Sequence, residues 1–483
     1  MVGNKLEPIA PAPQEQVVET AQVFGDKSID GRKIGPIVDT GNAGITSVGD
    51  NPTDIRFWAG SSFANRTTAP FRVDRTGNTV ISGYKLFEAV IDPAGNGDYT
   101  TIAAALTAGK KRLFLRNGAH VLSADLTISA DDVSLVGESK EGVLIQSGIT
   151  EAASSWRITV SGARCVLSYL TKTGVASTSV NPIYVTGSNC IIDNCVLKNT
   201  TSGNRGVYAL TGVGLKVSNS RIETSLWPIY STQDQTTVID NYINIANGNN
   251  TGFYFAGNGG VFSRNRYTRA GTGQYGVQLS GTNWLVSDNF LYSSSTAGGL
   301  AIYVDGSINK IINNRIQGFY DGIKNAANYG ITIMDNSIYS IGNNGIDLQS
   351  STGAGYGHHI TSNNTIYSAG GNGIACRYGY GHIIAGNTIY SAAANGIYAD
   401  STAAFYAAVI TNNQAFYCAN GFVGTQVSLT HEKTVWMGNM AYFSTSRGFN
   451  IVTNNSNIIG NINSNSGLAN VFTNTGGNTQ YNI

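Results

Sequence analysis

The sequence predicts an all-β chain wound as a single-stranded parallel β-helix of about 12–14 coils. Three observations predict it. First, from about Val185 to Asn461 the chain repeats itself with a period of roughly 24 residues, the range of stacked, quasi-one-dimensional folds. Second, one slot of the repeat is almost all asparagine: Asn194, Ser220, Asn241, Asn265, Asn289, Asn314, Asn336, Asn364, Asn387, Gln414, Asn439 and Asn461. An apolar side chain follows two residues later, from Val196 and Ile222 through Ile316, Ile338, Ile366 and Ile389 to Phe416. Third, a Gly- or Pro-apolar pair recurs in the same phase, as Pro182-Ile183, Gly206-Val207, Gly252-Phe253, Gly299-Leu300, Gly345-Ile346, Gly396-Ile397 and Gly448-Phe449. Each coil therefore holds a Gly turn and a strand, then an Asn turn and a strand. Leucine-rich repeats share the length, but their Leu ladders are absent.

The asparagine slot has a physical reason. Asn tolerates turn conformations that most residues resist, and its amide offers two donors and an acceptor. Stacked at the inter-strand spacing of ~4.8 Å, each amide bonds the next and satisfies buried turn groups, over a rod of roughly 60 Å. The slot is read as structural.

Taken in order, residues 1–30 are polar and weakly patterned and read as a flexible N-terminal arm. Residues 31–85 alternate, with Asp54-Ile-Arg-Phe-Trp-Ala-Gly60 and then Ala69 to Gly83 around a tight Thr-Gly-Asn turn, which predicts a small β module containing a hairpin. Residues 86–140 bring Thr101 as the N-cap of a short alanine-rich helix ending near Leu106, followed at once by the strand run from Leu113. The coils occupy 141–470, and 471–483 form a C-terminal tail or cap. Five cysteines, an odd and widely spaced set, read as buried inert thiols, with Cys165 and Cys190 one repeat apart.

The helix followed by strands resembles the entry to the pectin-lyase-like superfamily of right-handed parallel β-helices, in which a short helix plugs the first coil. A plug covers strand edges that would otherwise invite aggregation. The stretch 31–85 resembles the small β segments of phage tail-fibre and tail-tip proteins. Together these resemblances imply a right-handed β-helix of the tailspike or tail-fibre type in a virion tail. They imply a homotrimer, attached to other virion tail proteins through the N-terminal module. The superfamily's enzyme signatures are missing: no Gly-x-x-Asp-Phe-Ile-Phe-Gly, no Asp-Pro-His, and Gly357-His-His in place of Gly-His-Gly.

Composition narrows the partners. A net charge of +1 with 12% charged residues gives no footprint for nucleic acid. No run of 18 apolar residues argues for a membrane span. Met1 to Gln14 lacks an apolar stretch, so no conventional secretory signal is expected.

Alternation of side chains puts two outward columns after each Gly-apolar pair. The first reads Tyr184, Tyr208, Tyr230, Tyr254, Gln278, Ala301, Lys324, Asp347, Ala375, Tyr398; the second includes Tyr303, Ala326, Gln349, Arg377, Asp400 and Thr425. Four successive tyrosines suit sugar rings, offering faces and hydroxyls, and equally suit a subunit contact. Asp347, Gln349, Arg377, Tyr398 and Asp400 converge on adjacent coils. Asp347 and Asp400 lie roughly 9–10 Å apart along the axis, near the limit for an inverting acid–base pair. Arg377 would clamp an anionic sugar. The step from Asn336 to Asn364 is 28 residues, and the extra residues Ser350 to Tyr356 form a loop beside the cluster. The same residues also suit a structural Asp–Arg–Asp network. Gly-Tyr-Gly-His recurs at His358 and His382, one coil apart, as an acid/base or metal pair or a plain surface ladder. No ligand set supports a metal or other cofactor.

The expected function is recognition of host cell-surface polysaccharide by a tailspike or tail fibre, with glycoside hydrolase or lyase activity as its enzymatic form. The alternative is a non-catalytic structural or adhesive β-helix of a virion or cell surface.

Overall fold

A computed structural model describes residues 87–147, 157–173, 182–199, 205–224, 227–245, 252–326, 329–349, 357–426, 433–454, 456–475 and 478–480, together with the strands between Gln22 and Lys85. The chain divides into two compact units, Met1–Val90 and Ile91–Ile483. In the first, seven short strands form one sheet, and Lys27–Ile29 pairs antiparallel with Arg32–Ile34 in another. Its strands begin at Gln22, within the stretch expected to be an arm. Phe71–Val73 pairs antiparallel with Thr79–Ile81, the expected hairpin.

The second unit is a right-handed parallel β-helix of about 14 coils. Each coil contributes one strand to each of three sheets, here called I, II and III in chain order. One coil shows the logic. Lys310–Ile312 lies in sheet I, Arg315–Gln317 in sheet II and Asp321–Asn325 in sheet III. Ile311, Ile316 and Ile323 point inward, each 0% exposed. Three such side chains per coil contribute about 2 kcal/mol each, and every coil continues the same dry stack. The helix Ile102–Thr107 stands at the start, with the Thr101 hydroxyl accepting from the Ala104 amide at 3.2 Å. All five cysteines are buried and free, and burial pushes the Cys195 and Cys418 thiols up to about 12 and about 11.

The corner from sheet I to sheet II explains the asparagine slot. Its first residue is left-handed, as at Asp240 (φ 59), Asn313 (φ 55), Asn363 (φ 55) and Gly386 (φ 66). Its second residue carries the ladder. Asn364 Nδ2 donates to Asn387 Oδ1 at 2.9 Å and to the Ile333 carbonyl at 3.0 Å, while its Oδ1 accepts the Asn336 amide at 3.0 Å. The sequence phase is one residue off at two corners. The ladder slots are Cys195 and Asn413, not Asn194 and Gln414. Asn194 and Asn412 fill the left-handed position, which asparagine also tolerates well. By register the inward apolar residues there are Leu197 and Ala415, while Val196 shares the outward column of Arg221, although it too is buried.

A second amide ladder runs along the corner from sheet II to sheet III. Asn372 Nδ2 donates to Asn344 Oδ1 at 3.0 Å, Asn395 to Asn372 at 2.7 Å and Asn420 to Asn395 at 3.0 Å. Its first member is a carboxylate, Asp321, whose Oδ1 accepts from the Asn344 amide at 2.9 Å.

Candidate functional site

The outer face of sheet III carries the residues singled out from the sequence. In-register pairing sets the first column as Tyr184, Tyr208, Tyr230 and Tyr254, then Gln278, Tyr303, Lys324, Asp347, Ala375 and Tyr398. One assignment changes. Ala301 is buried, and Tyr303 takes its place between Gln278 and Lys324. The phase slips because the Gly298-Gly299 pair precedes the strand, so the inward residue is Ile302, not Leu300. Gln349, Arg377, Asp400 and Thr425 share the second column, as expected.

The four tyrosines are half-buried and packed on one another. Tyr184–Tyr208 ring centroids are 5.5 Å apart, Tyr208–Tyr230 5.2 Å and Tyr230–Tyr254 4.6 Å, the last pair only 20° from parallel. Arg205 inserts its guanidinium among them, 4.2 Å from the Tyr208 ring, 4.5 Å from Trp227 and 4.8 Å from Tyr230. Much of the ring-face area expected to receive sugars is therefore occupied from within. What remains outward is ring edges and hydroxyls, suited to hydrogen bonding rather than stacking.

Farther along, Asp347 lies on the outer face by register, yet it is only 2% exposed. Its Oδ1 has no hydrogen-bond partner among the described residues, and its Oδ2 is 4.0 Å from Lys324 Nζ. Burial raises the carboxyl above the ordinary aspartate range, against the pull of Arg377 and Lys324. Asp321, one coil earlier and 3% exposed, is also raised by burial, and it feels the same two cations. The sequence reading missed Asp321. The signal was its place in the Asn-Gly slot shared with Asn344, Asn372, Asn395 and Asn420. Gln349, Arg377 and Tyr398 are half-buried. Asp347 and Asp400 are separated by two coils and also by two residues along the strand, so their backbones stand roughly 12 Å apart. The Asp400 side chain and the expected loop Ser350 to Tyr356 lie outside the described residues.

The histidine pair is reassigned. Ile360 pairs with Ile383, which sets His359 over His382, not His358. The rings are 4.9 Å apart and both are 0% exposed, facing the interior. His358 is exposed in a left-handed turn (φ 53). The repeated Gly-Tyr-Gly-His is one residue out of step with the strands, and the inward apolar phase decides. His359 Nδ1 accepts the Ile331 amide at 3.3 Å, and its Nε2 is 2.9 Å from Asn325 Nδ2. Burial, then the neighbouring imidazoles, push His359 down to about 3, so it is neutral. Among the described residues no group of three His, Cys, Asp or Glu side chains is placed to hold a metal ion. No described helix is long and apolar enough to cross a membrane.

With this geometry in hand, comparison with protein families is informative. The model of the right handed beta helix region matches residues 227–355 and 300–474, together just over half of the chain. The chain belongs to this family. The β-helix is also similar to solved structures. The Dettilon tailspike protein is 16% identical, with a TM-score of 0.43 over 71% of this chain and 63% of that one, so the match spans less than two thirds of the tailspike. Pectin methylesterase PemA from Erwinia chrysanthemi is 13% identical, with a TM-score of 0.34 over 50% of this chain and 81% of the enzyme. The alginate lyase AlyF-OU02 is 13% identical, with a TM-score of 0.39 over 72% and 83%. A comparison with curated proteins gives no match.

Proposed function

We propose that this β-helix is the spike or fibre of a virion tail, that it recognises a host surface polysaccharide on the outer face of sheet III, and that it cleaves that polysaccharide there. The observation that carries the reading is Asp347. It is a carboxyl almost wholly buried, with one oxygen unpartnered among the described residues and its proton affinity raised, beside Arg377 and Lys324. A carboxyl whose proton affinity is raised suits a general acid, and active sites are where burial and neighbouring charge are combined in this way. In this reading Asp347 protonates the glycosidic oxygen, Asp400 activates water, and Arg377 holds an anionic group of the sugar. Gln349 and Tyr398 line the approach, and the hydroxyl edges of Tyr184, Tyr208, Tyr230 and Tyr254 extend it. The module 31–85 joins other tail proteins, and the rod assembles as a homotrimer.

The test is release of reducing ends from host capsular polysaccharide. Asp347→Asn keeps the shape and removes the acid, and a drop of at least about 100-fold is expected. An undiminished rate in that variant would rule out this site. Binding without any cleavage by the native chain favours the adhesive reading, to which the Lys324–Asp347 pair at 4.0 Å also lends itself as a structural contact. Light scattering reads the trimer directly.

A further inference from the structure

The outer face of sheet II was not singled out in the sequence, and its register is unusual. One outward column runs Arg221, Tyr242, Arg266, Phe290 and Arg315. Cations and rings alternate in contact: Arg266 is 5.7 Å from both the Tyr242 and Phe290 rings, and Arg315 is 5.3 Å from Phe290 and 5.6 Å from Tyr339. Phe290 and Tyr292 stand side by side on one strand, only 7° from parallel. Arg266, Phe290 and Tyr292, with Asn244, Thr268 and Gln317, line a groove of about 440 Å³, and Arg315 stands beside it, against Phe290.

The charges on this face are one-sided. From Tyr242 to Tyr442 the two outward columns of sheet II contain no Asp or Glu, and both arginines are exposed. Carboxylates do occur at the adjoining corner, but off the strand face. Asp240 is held at 2.8 Å by both Arg264 Nε and Nη2, and Asp288 accepts from Asn313 at 2.7 Å. Asp335 continues that corner row beyond Arg315. Upstream, Arg221 has Glu223 as its partner. Arg266 and Arg315 have aromatic partners only, and no carboxylate within ion-pair distance among the described residues.

We propose that this groove is a second glycan site, for an oligosaccharide bearing carboxylates, centred on Arg266 and Phe290. The chemistry of the lining makes the choice. A guanidinium presents a fork that matches a carboxylate, and Arg266 and Arg315, two coils apart, stand about 10 Å apart along the axis. Tyr292, which lines the groove and has no guanidinium over its ring among the described residues, offers apolar area to pyranose C–H faces, and the amide and hydroxyl groups beside it suit ring hydroxyls. Two uncompensated cations are few for a polyphosphate chain, whose binding rests on neutralising many phosphates. The site lies on a different sheet from Asp347 and does not depend on catalysis there.

The test is calorimetric titration of the full chain with hexagalacturonate and with its fully methyl-esterified form. The acid form is expected to bind, and the ester at least ten-fold more weakly. The double variant Arg266→Gln, Arg315→Gln and the single variant Phe290→Ala should each lose at least ten-fold, while each keeps the native far-UV circular dichroism spectrum. Asp347→Asn should bind as the native chain does, and absence of any cleavage activity leaves the expectation intact. Equal binding of acid and ester, full affinity in the double variant, or no binding at millimolar hexagalacturonate overturns the proposal. So does tighter binding of an oligothymidylate, or a change of particle mass in the double variant, which would make the face a contact between copies.

Discussion

Asn364→Ala tests the frame on which every site assignment rests. Asn364 is fully buried. Its Oδ1 accepts the Asn336 backbone amide at 3.0 Å and Asn336 Nδ2 at 2.9 Å, and its own amide donates to Ile333 and Ser362 carbonyls and to Asn387 Oδ1. Truncation leaves the Asn336 N–H without an acceptor in a dry corner, a penalty of about 1–3 kcal/mol, and removes side-chain bonds with a net worth of about 1 kcal/mol each. The expected loss is at least about 3 kcal/mol. Asn363, one residue earlier, gives the control. It is exposed and left-handed, and later coils place Gly386, Gly438 and Gly460 at the same position. Asn363→Gly is expected to change stability by less than about 1 kcal/mol, because glycine adopts that conformation without strain.

A solenoid loses coils locally before it unfolds globally, so one melting temperature is a blunt reading. Hydrogen exchange at Asn336 and its neighbours reports the opening energy of this corner. The refuting result is Asn364→Ala costing no more than Asn363→Gly. The amides would then be ornaments of a fold held by its apolar stack alone, and the coil phase taken from them would lose its physical basis.

Acid should destabilise the rod through His359: its folded pKa is about 3 against an ordinary 6.5, so the unfolded chain binds the extra proton between those values and stability falls as pH drops below 6.5. At pH 5 the loss is about 2 kcal/mol, read by urea titration, and His359→Gln should flatten that slope. Asp347 has the opposite sign, since burial raises its carboxyl; Asp347→Asn is expected to melt higher than the native chain at pH 7 and to lose that advantage in acid. Arg205→Ala removes a cation from three rings and is expected to cost about 1–2 kcal/mol in a urea melt. Gly281→Ala would place a Cβ 1.8 Å from the Gly257 carbonyl oxygen, and is expected to cost at least about 2 kcal/mol by the same measurement.

Much of this frame was legible because the period repeats a physical need. Nine successive coils, from Asn241 to Asn439, each carry a left-handed residue, an amide and an inward apolar group, and that repetition makes the pattern visible. The errors fall where two needs call for the same residue type. Asn194 and Asn412 satisfy the left-handed corner, so asparagine alone cannot mark the ladder; the inward Leu197 and Ala415 do. The doubled glycine before Leu300 hid Ile302 as the inward residue. At His358 the repeated tetrapeptide misled, because its two copies lie 24 residues apart while the strands there, Ile360 and Ile383, step by 23. Asp321 escaped notice since a carboxylate stands where four asparagines follow. The arginine–aromatic alternation on sheet II was invisible for a simpler reason: its partners are about 24 residues apart and on the strand that the Gly-apolar slot does not phase.

In-register stacking also says where a solenoid can place a ligand. When a column repeats one residue type, its members satisfy each other. Tyr230 and Tyr254 stack at 4.6 Å, and the amides of Asn336, Asn364 and Asn387 bond in series. Such columns are closed by their own regularity. Unused chemistry collects where the type changes from coil to coil. On sheet III the sequence Tyr303, Lys324, Asp347, Ala375, Tyr398 gives no neighbour its like. There a buried carboxyl oxygen has no partner among the described residues. On sheet II, arginine alternating with aromatic rings leaves guanidinium donors facing outward. Both proposed sites sit at such breaks, and for the same physical cause: a stacked side chain that cannot pair with its own kind stays available to something else.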